Sequence, residues 1–359
     1  MIEGERKLAT VRKIVAIDPI EGADNIVKAT VDGWSLVTQK SNNFLPGDLV
    51  VFFEIDSFLP ICEKFEFLRK SSYRKMGDQE GFRLKTIKLR GTLSQGLILP
   101  LSEFKDILDT HLNSDGQSYL EIVGFNEGDD LTEILGVTKY EKPENGGPGA
   151  NLGGKSKGNF PEFLRKTDQE RIQNCFGSLF ETFETTLKLD GSSMTVYYKD
   201  GVVGVCSRNL DLLEDDVNAF WSVARKKGLI DALMAYGHNI AIQGELCGPG
   251  IQHNRENLSE LQMYVFDIYK IDSMSYCTPY ERGMIFEQLK VNGTTVEHIP
   301  IIDPAVKLSD FKRVEDFLNY ADRESLNHPI AEGVVFKSVR RNGHCFKAIN
   351  TNYLLKCED

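Results

Sequence analysis

The group Lys188-Leu189-Asp190-Gly191 has the residue types of a covalent-catalysis site. A free lysine amine has a pKa of about 10.4, so at neutral pH it is protonated and cannot attack. Neighbouring positive charge or a divalent cation lowers that value and supplies the nucleophile. Asp190 adds an oxygen donor suited to a hard cation, and Gly191 lets the backbone come close to a ligand. Alone the pattern is unspecific, since an exposed lysine is ordinarily a solubilising charge. An ordered series behind it changes its weight: Ser207-Arg208-Asn209, Gly244-Glu245, Val265-Phe266-Asp267-Ile268-Tyr269, Glu332 through Lys337, and Phe346-Lys347-Ala348-Ile349. Glu245 and Glu332 add oxygen donors, Arg208 a planar fork for phosphate, and Lys347 and Lys337 a positive field. Taken singly, Glu332 reads as a strand-end acid and Asp267 as a turn cap.

These residues need rigid elements behind them. Lys188 ends a predicted strand, Thr185–Leu189, just before the turn Gly191-Ser192-Ser193. Further strands are expected at Met194–Tyr198, Val202–Cys206, Ile240–Gly244, Met263–Tyr269 and Gly333–Ser338. Apolar spacing predicts helices over 214–236, 279–290 and 308–324. Upstream, Leu8–Ala16, Asn25–Val31, Trp34–Val37 and Leu49–Phe53 are Val- and Ile-rich runs punctuated by Asp32-Gly33 and Pro46-Gly47-Asp48. Residues 82–100 alternate like a hairpin that turns near Gly91. Many short strands without long helices predict a small β-barrel of the OB type. The Gly/Pro/Asn-rich stretch 141–159 reads as a linker, giving an N-terminal module over 1–140 and a second domain over 160–359.

A chain of 359 residues suits two domains of roughly 100 to 200 residues each. The first twenty residues lack the long apolar run of a signal peptide, and no stretch approaches the about 18 apolar residues of a membrane span. The seven cysteines are scattered and odd in number with no CxxC pair, which argues against a disulfide framework and a structural zinc site. A soluble intracellular protein is expected. The six histidines show no ligand-like spacing. A net charge of −11 repels phosphate, so any nucleic-acid site must be a local basic surface. Residues 64–90 qualify, with nine basic residues against Glu66, Asp78 and Glu80, although charge runs often only solvate a face.

The order of the series resembles motifs I, Ia, III, IIIa, IV and V of the covalent nucleotidyltransferases, which include DNA ligases, RNA ligases and mRNA capping enzymes. The whole chain is similar to the RNA ligases of the Deinococcus and Naegleria type, which place an OB-like module before the catalytic domain. Phe163–Asp168, Gln243–Gly250 and Arg90–Gly96 extend that similarity. The resemblance implies an α+β chain: an OB-like β-barrel, then an ATP-grasp-like adenylyltransferase domain of antiparallel sheets with flanking helices.

It also implies an ATP-dependent RNA ligase using Mg²⁺ or Mn²⁺, in which Lys188 carries AMP and a 3′-OH is joined to a 5′-phosphate. Asp190 and Glu332 would lie near the metal, with Glu245 toward metal waters or the ribose. Arg208 would meet a phosphate or the terminal RNA nucleotide, and Phe266 would stack on the purine, with Tyr264 expected on the opposite face of its strand. Lys166 or Arg171 could meet the β- and γ-phosphates, or their segment could be an ordinary charged helix start. Related ligases often carry Lys-x-Lys in the last motif. Here Lys347-Ala348-Ile349 lacks the second lysine unless Lys337, Arg340 or Arg341 replaces it. The implied partner is RNA, at a nick in a duplex, with no membrane and no obligatory protein partner. A capping guanylyltransferase using GTP is the second enzyme reading, disfavoured because only about ten residues follow the last motif. A catalytically silent RNA-binding protein would predict loss of Lys188 or of a metal-site acid, and all are present.

Overall fold

The first predicted strand forms as β1 (Ala9–Pro19), which buries Ala9, Val11 and Ile14. A bulge between Ile14 and Ala16 bends it. Its first half therefore pairs with β4 (Leu49–Phe53), and its second half pairs with β2 (Ile26–Val31). With β3 (Trp34–Gln39), and β10 (Leu97–Pro100) beyond β4, this gives a curled five-stranded sheet, ordered β10-β4-β1-β2-β3. A second sheet holds β5 (Ser57–Pro60), β6 (Tyr73–Met76), β7 (Gln79–Arg83) and β11 (Thr138–Lys139). Phe53, Phe65, Phe82 and Phe104 pack with Val11, Val51 and Leu59 in the core of this N-terminal unit. The stretch 82–100 turns near Gly91 as expected, yet it is not one hairpin. Only β8 (Ile87–Leu89) and β9 (Thr92–Ser94) pair with each other, while its flanks join other sheets through β7 and β10.

This computed structural model describes residues 6–105, 125–141, 155–176 and 181–357, and the chain divides into two compact units, Met1–Pro143 and Glu144–Asp359. The last four residues of the Gly-rich stretch form β12 (Ser156–Asn159), and 142–154 lie outside the described residues. The second unit continues with β13 (Glu170–Arg171), β14 (Thr182–Lys188), β15 (Ser192–Lys199), β16 (Val202–Cys206) and β17 (Leu210–Leu212). Two helices follow, α1 (Ala219–Lys226) and α2 (Leu229–Tyr236), and then β18 (Ile240–Cys247), β19 (Gln262–Lys270) and β20 (Ser275–Tyr276). After α3 (Pro279–Val291) come β21 (Glu297–His298), β22 (Ile301–Lys307), α4 (Val314–Ala321), β23 (Gly333–Ser338), β24 (Cys345–Ile349) and α5 (Thr351–Lys356).

One eight-stranded sheet runs β12-β17-β16-β15-β18-β19-β20 with β21 on β19, and one five-stranded sheet runs β13-β24-β23-β14-β22. Both are antiparallel apart from two short parallel pairs, β13–β24 and β19–β21. Helix α3 starts where expected, because Thr278 and Glu281 form a capping box with Pro279 at the first position. The single helix expected over 214–236 is two helices. Asn218 caps the first through Phe220 N and Trp221 N, and Gly228, at φ +65°, separates it from the second. The helix expected over 308–324 shrinks to α4, preceded by a single turn at Leu308–Asp310.

Candidate active site

Strand alternation sorts the five-stranded sheet into two faces. Phe183, Val334, Phe336, Phe346 and Ala348 form one face and pack on Phe317 of α4; the Phe336 and Phe346 rings stack 4.7 Å apart. In register on the other face are the rows Lys188–Gly333–Ile349, Thr186–Val335–Lys347 and Glu184–Lys337–Cys345. Three lysines of the sequence series, Lys188, Lys337 and Lys347, therefore share one face. After Lys188 the chain leaves this sheet and enters the other at Ser192, so Asp190 and Gly191 lie in the crossover. Ser193 of β15 faces Glu245 of β18. A Cβ on Gly191 would lie 2.5 Å from the Leu246 carbonyl oxygen and 2.8 Å from the Glu245 side chain. Its missing side chain thus accommodates the neighbouring strand, and its N–H donates to Glu245 Oε1 at 3.1 Å.

The result is one lysine among three carboxylates. Lys188 Nζ lies 2.6 Å from Glu332 Oε1. Burial disfavours the lysine charge, but Glu332, Glu245 and Asp190 outweigh it, and Lys188 holds its proton more tightly than a free lysine. Burial, with Lys188 opposing and Glu332 and Asp190 adding, pushes Glu245 up to about 8. Burial and Glu332 likewise push Asp190 up to about 6, against Tyr353, Lys188 and Arg255.

Among the described residues no group of three or more His, Cys, Asp or Glu side chains is gathered closely enough to cage a metal ion. Asp190, Glu245 and Glu332 surround the Lys188 ammonium instead. Their chemistry still fits a hard divalent cation held partly through water, because all are oxygen donors whose crowding added positive charge would relieve.

The remaining sequence candidates form two further groups. Asp168 gathers Lys347, at 3.2 Å, and Arg208, at 3.8 Å. Arg171 is buried on β13 in register with Lys347, while Lys166 donates to Asn209 Oδ1 at 2.9 Å, beside Arg208. In the other group, Lys337 reaches Asp267 at 2.7 Å and donates to the Phe266 carbonyl. Burial, with Asp267 opposing and Arg282 adding, pulls Lys337 below the usual lysine range. Phe266 is the bulged residue of β19: Gln243 faces Asp267, and the next residue, Gly244, faces Val265. Its ring lies under Lys337 Nζ, 5.5 Å away, and packs with Leu187, Leu189 and Tyr264. Tyr264 is therefore not on the opposite face: the bulge breaks the regular alternation, and both side chains belong to one apolar cluster. Of the candidates for the missing second lysine, Arg341 pairs with Glu181 and Lys337 with Asp267; Ile349, in the Lys188 row, is buried.

Several partners are not identified by sequence. Asp168 and Asp267 hold cations from far along the chain, and neither spacing announces it. Arg255 Nε lies 3.6 Å from Asp190 Oδ2, its guanidinium covers the Tyr353 ring at 4.8 Å, and it donates to the Ile330 carbonyl at 2.7 Å. The preceding residues Gln252, His253 and Asn254 are all left-handed, at φ +40°, +58° and +48°. The next residue, Glu256, accepts from Ser325 Oγ and from Asn327 N, at 2.5 and 2.9 Å. The loop after Glu245 is thereby tied to the loop before Glu332. The one sequence sign was the polar run His253–Asn257 close behind Glu245.

A family model described as an OB-fold domain matches residues 8–101, and one described as RNA ligase matches residues 181–349. Among solved structures, an apo form of a Naegleria gruberi RNA ligase variant is 43% identical over 98% of each chain, with a TM-score of 0.86. The Naegleria gruberi RNA ligase with PPi is 43% identical over 97% of this chain and 98% of that one, with a TM-score of 0.86. A variant of that ligase with ATP and Mn is 42% identical over the same shares, again with a TM-score of 0.86. Among curated proteins no match was found. Among the described residues, no helix is long and apolar enough to cross a membrane.

Proposed function

The chain belongs to the RNA ligase family, and from that premise we propose that it seals RNA ends with ATP through a lysyl-AMP intermediate. Lys188 Nζ attacks the α-phosphorus of ATP, the bond to the β-phosphate oxygen breaks, and pyrophosphate leaves. AMP then passes from Lys188 to the 5′-phosphate of an RNA end. A 3′-hydroxyl attacks that activated phosphate, AMP departs, and a phosphodiester remains. The observation that carries this reading is a strand-end lysine fixed at the junction of two sheets with Asp190, Glu245 and Glu332 around it.

Lys188 must shed a proton before it attacks, and the positive charge of a divalent cation beside it would favour that loss by offsetting the carboxylates that now hold the proton. A divalent cation held by Asp190, Glu245 and Glu332 would offset their charge and that of the triphosphate. Lys337 and Lys347 lie on the same sheet face as Lys188 and would neutralise phosphate oxygens, with Arg208 gripping a phosphate or the terminal nucleotide. Phe266 would stack on the purine, and Lys166 and Arg171 are candidates for the outer phosphates. The solved Naegleria gruberi ligase with ATP and Mn supports ATP and Mn²⁺ as this chain's cofactors. The N-terminal module, residues 1–140 with its basic stretch 64–90, would hold a nicked duplex.

The test is incubation of the purified protein with α-labelled ATP or GTP and Mg²⁺ or Mn²⁺, beside Lys188→Ala. Acid-labile label from ATP on the parent protein, missing from the variant, is expected. Label from GTP would indicate capping chemistry. No label from either nucleotide in a folded protein would overturn the reading.

A further inference from the structure

The basic stretch 64–90 is not uniformly available to a polyanion. Arg69, Lys75 and Arg83 face Glu66, Glu80 and Asp56, at 2.6, 2.9 and 3.6 Å. The β8–β9 hairpin differs. Among the described residues neither Lys88 nor Arg90 meets a carboxylate, and every residue from Ile87 to Gly91 is exposed. Ile87 and Leu89 alternate with these cations and are 47% and 39% exposed, so apolar surface is in solvent too. A lone two-stranded hairpin that buries so little has marginal stability of its own.

Its root is firm. Ser35 Oγ donates to the Leu93 carbonyl at 3.2 Å, Val37 N to Ser94 Oγ at 3.0 Å, and Gln95 N to the Ser35 carbonyl at 2.8 Å. The hairpin is thus fastened to β3 through β9. Its two-residue turn has positive φ at both positions, Arg90 at +49° and Gly91 at +78°. Such turns favour Asn-Gly, and an arginine there is strained. A strained cation at the tip, exposed apolar residues behind it and a rigid root are features of a contact element rather than of a solubilising loop.

We propose that the β8–β9 hairpin is the element by which the N-terminal unit grips an RNA duplex. Lys88 and Arg90 meet backbone phosphates, and Ile87 and Leu89 lie against riboses in the wide, shallow minor groove of the A-form helix. A chain of net charge −11 has need of such a local, unneutralised pair. The inference rests on the RNA-sealing reading and assigns its duplex contact to named residues.

The test compares the full-length parent with Arg90→Asn and with Lys88→Ala/Arg90→Asn. Binding to a nicked RNA duplex is read by fluorescence anisotropy without ATP across a salt series, beside self-labelling with ATP and the urea midpoint. Asparagine suits the left-handed turn, so the midpoint is expected to hold or rise. Affinity of the double variant is expected to fall about tenfold, as two exposed ionic contacts would give. Its salt dependence is expected to flatten by about one log unit per log unit of salt for each lost cation. Labelling, which needs no RNA, is expected to be unchanged. Unchanged RNA affinity would overturn the proposal, as would equal weakening toward an unpaired RNA strand, or loss of label in the variant. Absence of label in the parent would overturn the sealing reading instead, while the binding comparison would still decide the hairpin.

Discussion

Lys188 and Lys337 project from the same face of one sheet, and each touches a carboxylate at nearly the same distance, 2.6 Å to Glu332 and 2.7 Å to Asp267. Their proton affinities nevertheless move in opposite directions, up for Lys188 and down for Lys337. The difference lies beyond the first contact. Lys188 has Glu245 and Asp190 as well as Glu332, whereas Lys337 has a less exposed side chain and Arg282 nearby. A lysine–carboxylate pair therefore does not fix reactivity; the surplus of charge around it does. Without substrate, Lys188 is a held ammonium that must be released, and Lys337 is a fixed strut.

The largest effect that would sharpen this contrast comes from Lys188→Arg. It keeps the charge and removes the nucleophile, so labelling with ATP should fall by about a thousandfold or more while the urea midpoint hardly moves. Lys337→Met should weaken phosphate binding and, unlike Lys188→Arg, also lower stability, because it strands the buried Asp267. A loss of about 3–5 kcal/mol in urea unfolding is expected, with partial recovery on adding Asp267→Leu. If Lys337→Met left stability untouched, the division of roles would break.

Arg255→Ala should remove about 2 kcal/mol of stability, as loss of a charged hydrogen bond to the partly buried Ile330 carbonyl would. It should also raise the Mn²⁺ concentration for half-maximal labelling, because Asp190 loses its brace, and Arg255→Lys should restore part of both. An unchanged Mn²⁺ requirement would show that Arg255 only fastens loops.

The smallest effect is in pH. Asp190 and Glu245 are less acidic when folded than when unfolded. Their stability contribution is complete below the unfolded carboxylate range and is lost as pH rises through about 6 and about 8. Lys188 does not cancel this trend, since its contribution is constant below the unfolded lysine range. Metal-free protein should therefore lose stability from mildly acid pH to about 8, and Mn²⁺ should restore it. A flat profile without metal would mean that the three carboxylates are not crowded.

Much of this was legible before any coordinates. Lys188, Asp190, Glu245 and Glu332 stand in an order that chance does not supply, and the apolar spacing over 279–290 foretells α3, whose start the structure shows to be fixed by the local box of Thr278 and Glu281. Long-range pairing left no such trace: the partners Asp168 and Lys347 are 179 residues apart. The apolar spacing of 214–236 runs on past Gly228, but that residue's left-handed backbone divides the stretch into α1 and α2. The alternation of 82–100 was real, but periodicity does not say which partner a strand chooses.

The turn Gln252-His253-Asn254 has one more consequence. Three successive residues with positive φ run against the hand of L-amino acids, which Asn254 tolerates but Gln252 and His253 disfavour by about 1–2 kcal/mol each. The protein thus gives up folding free energy to aim a guanidinium at Asp190. A semisynthetic chain with D-residues at these positions would take the same path without strain. It would be more stable than the natural polymer and would present proteases with a bond of the wrong hand.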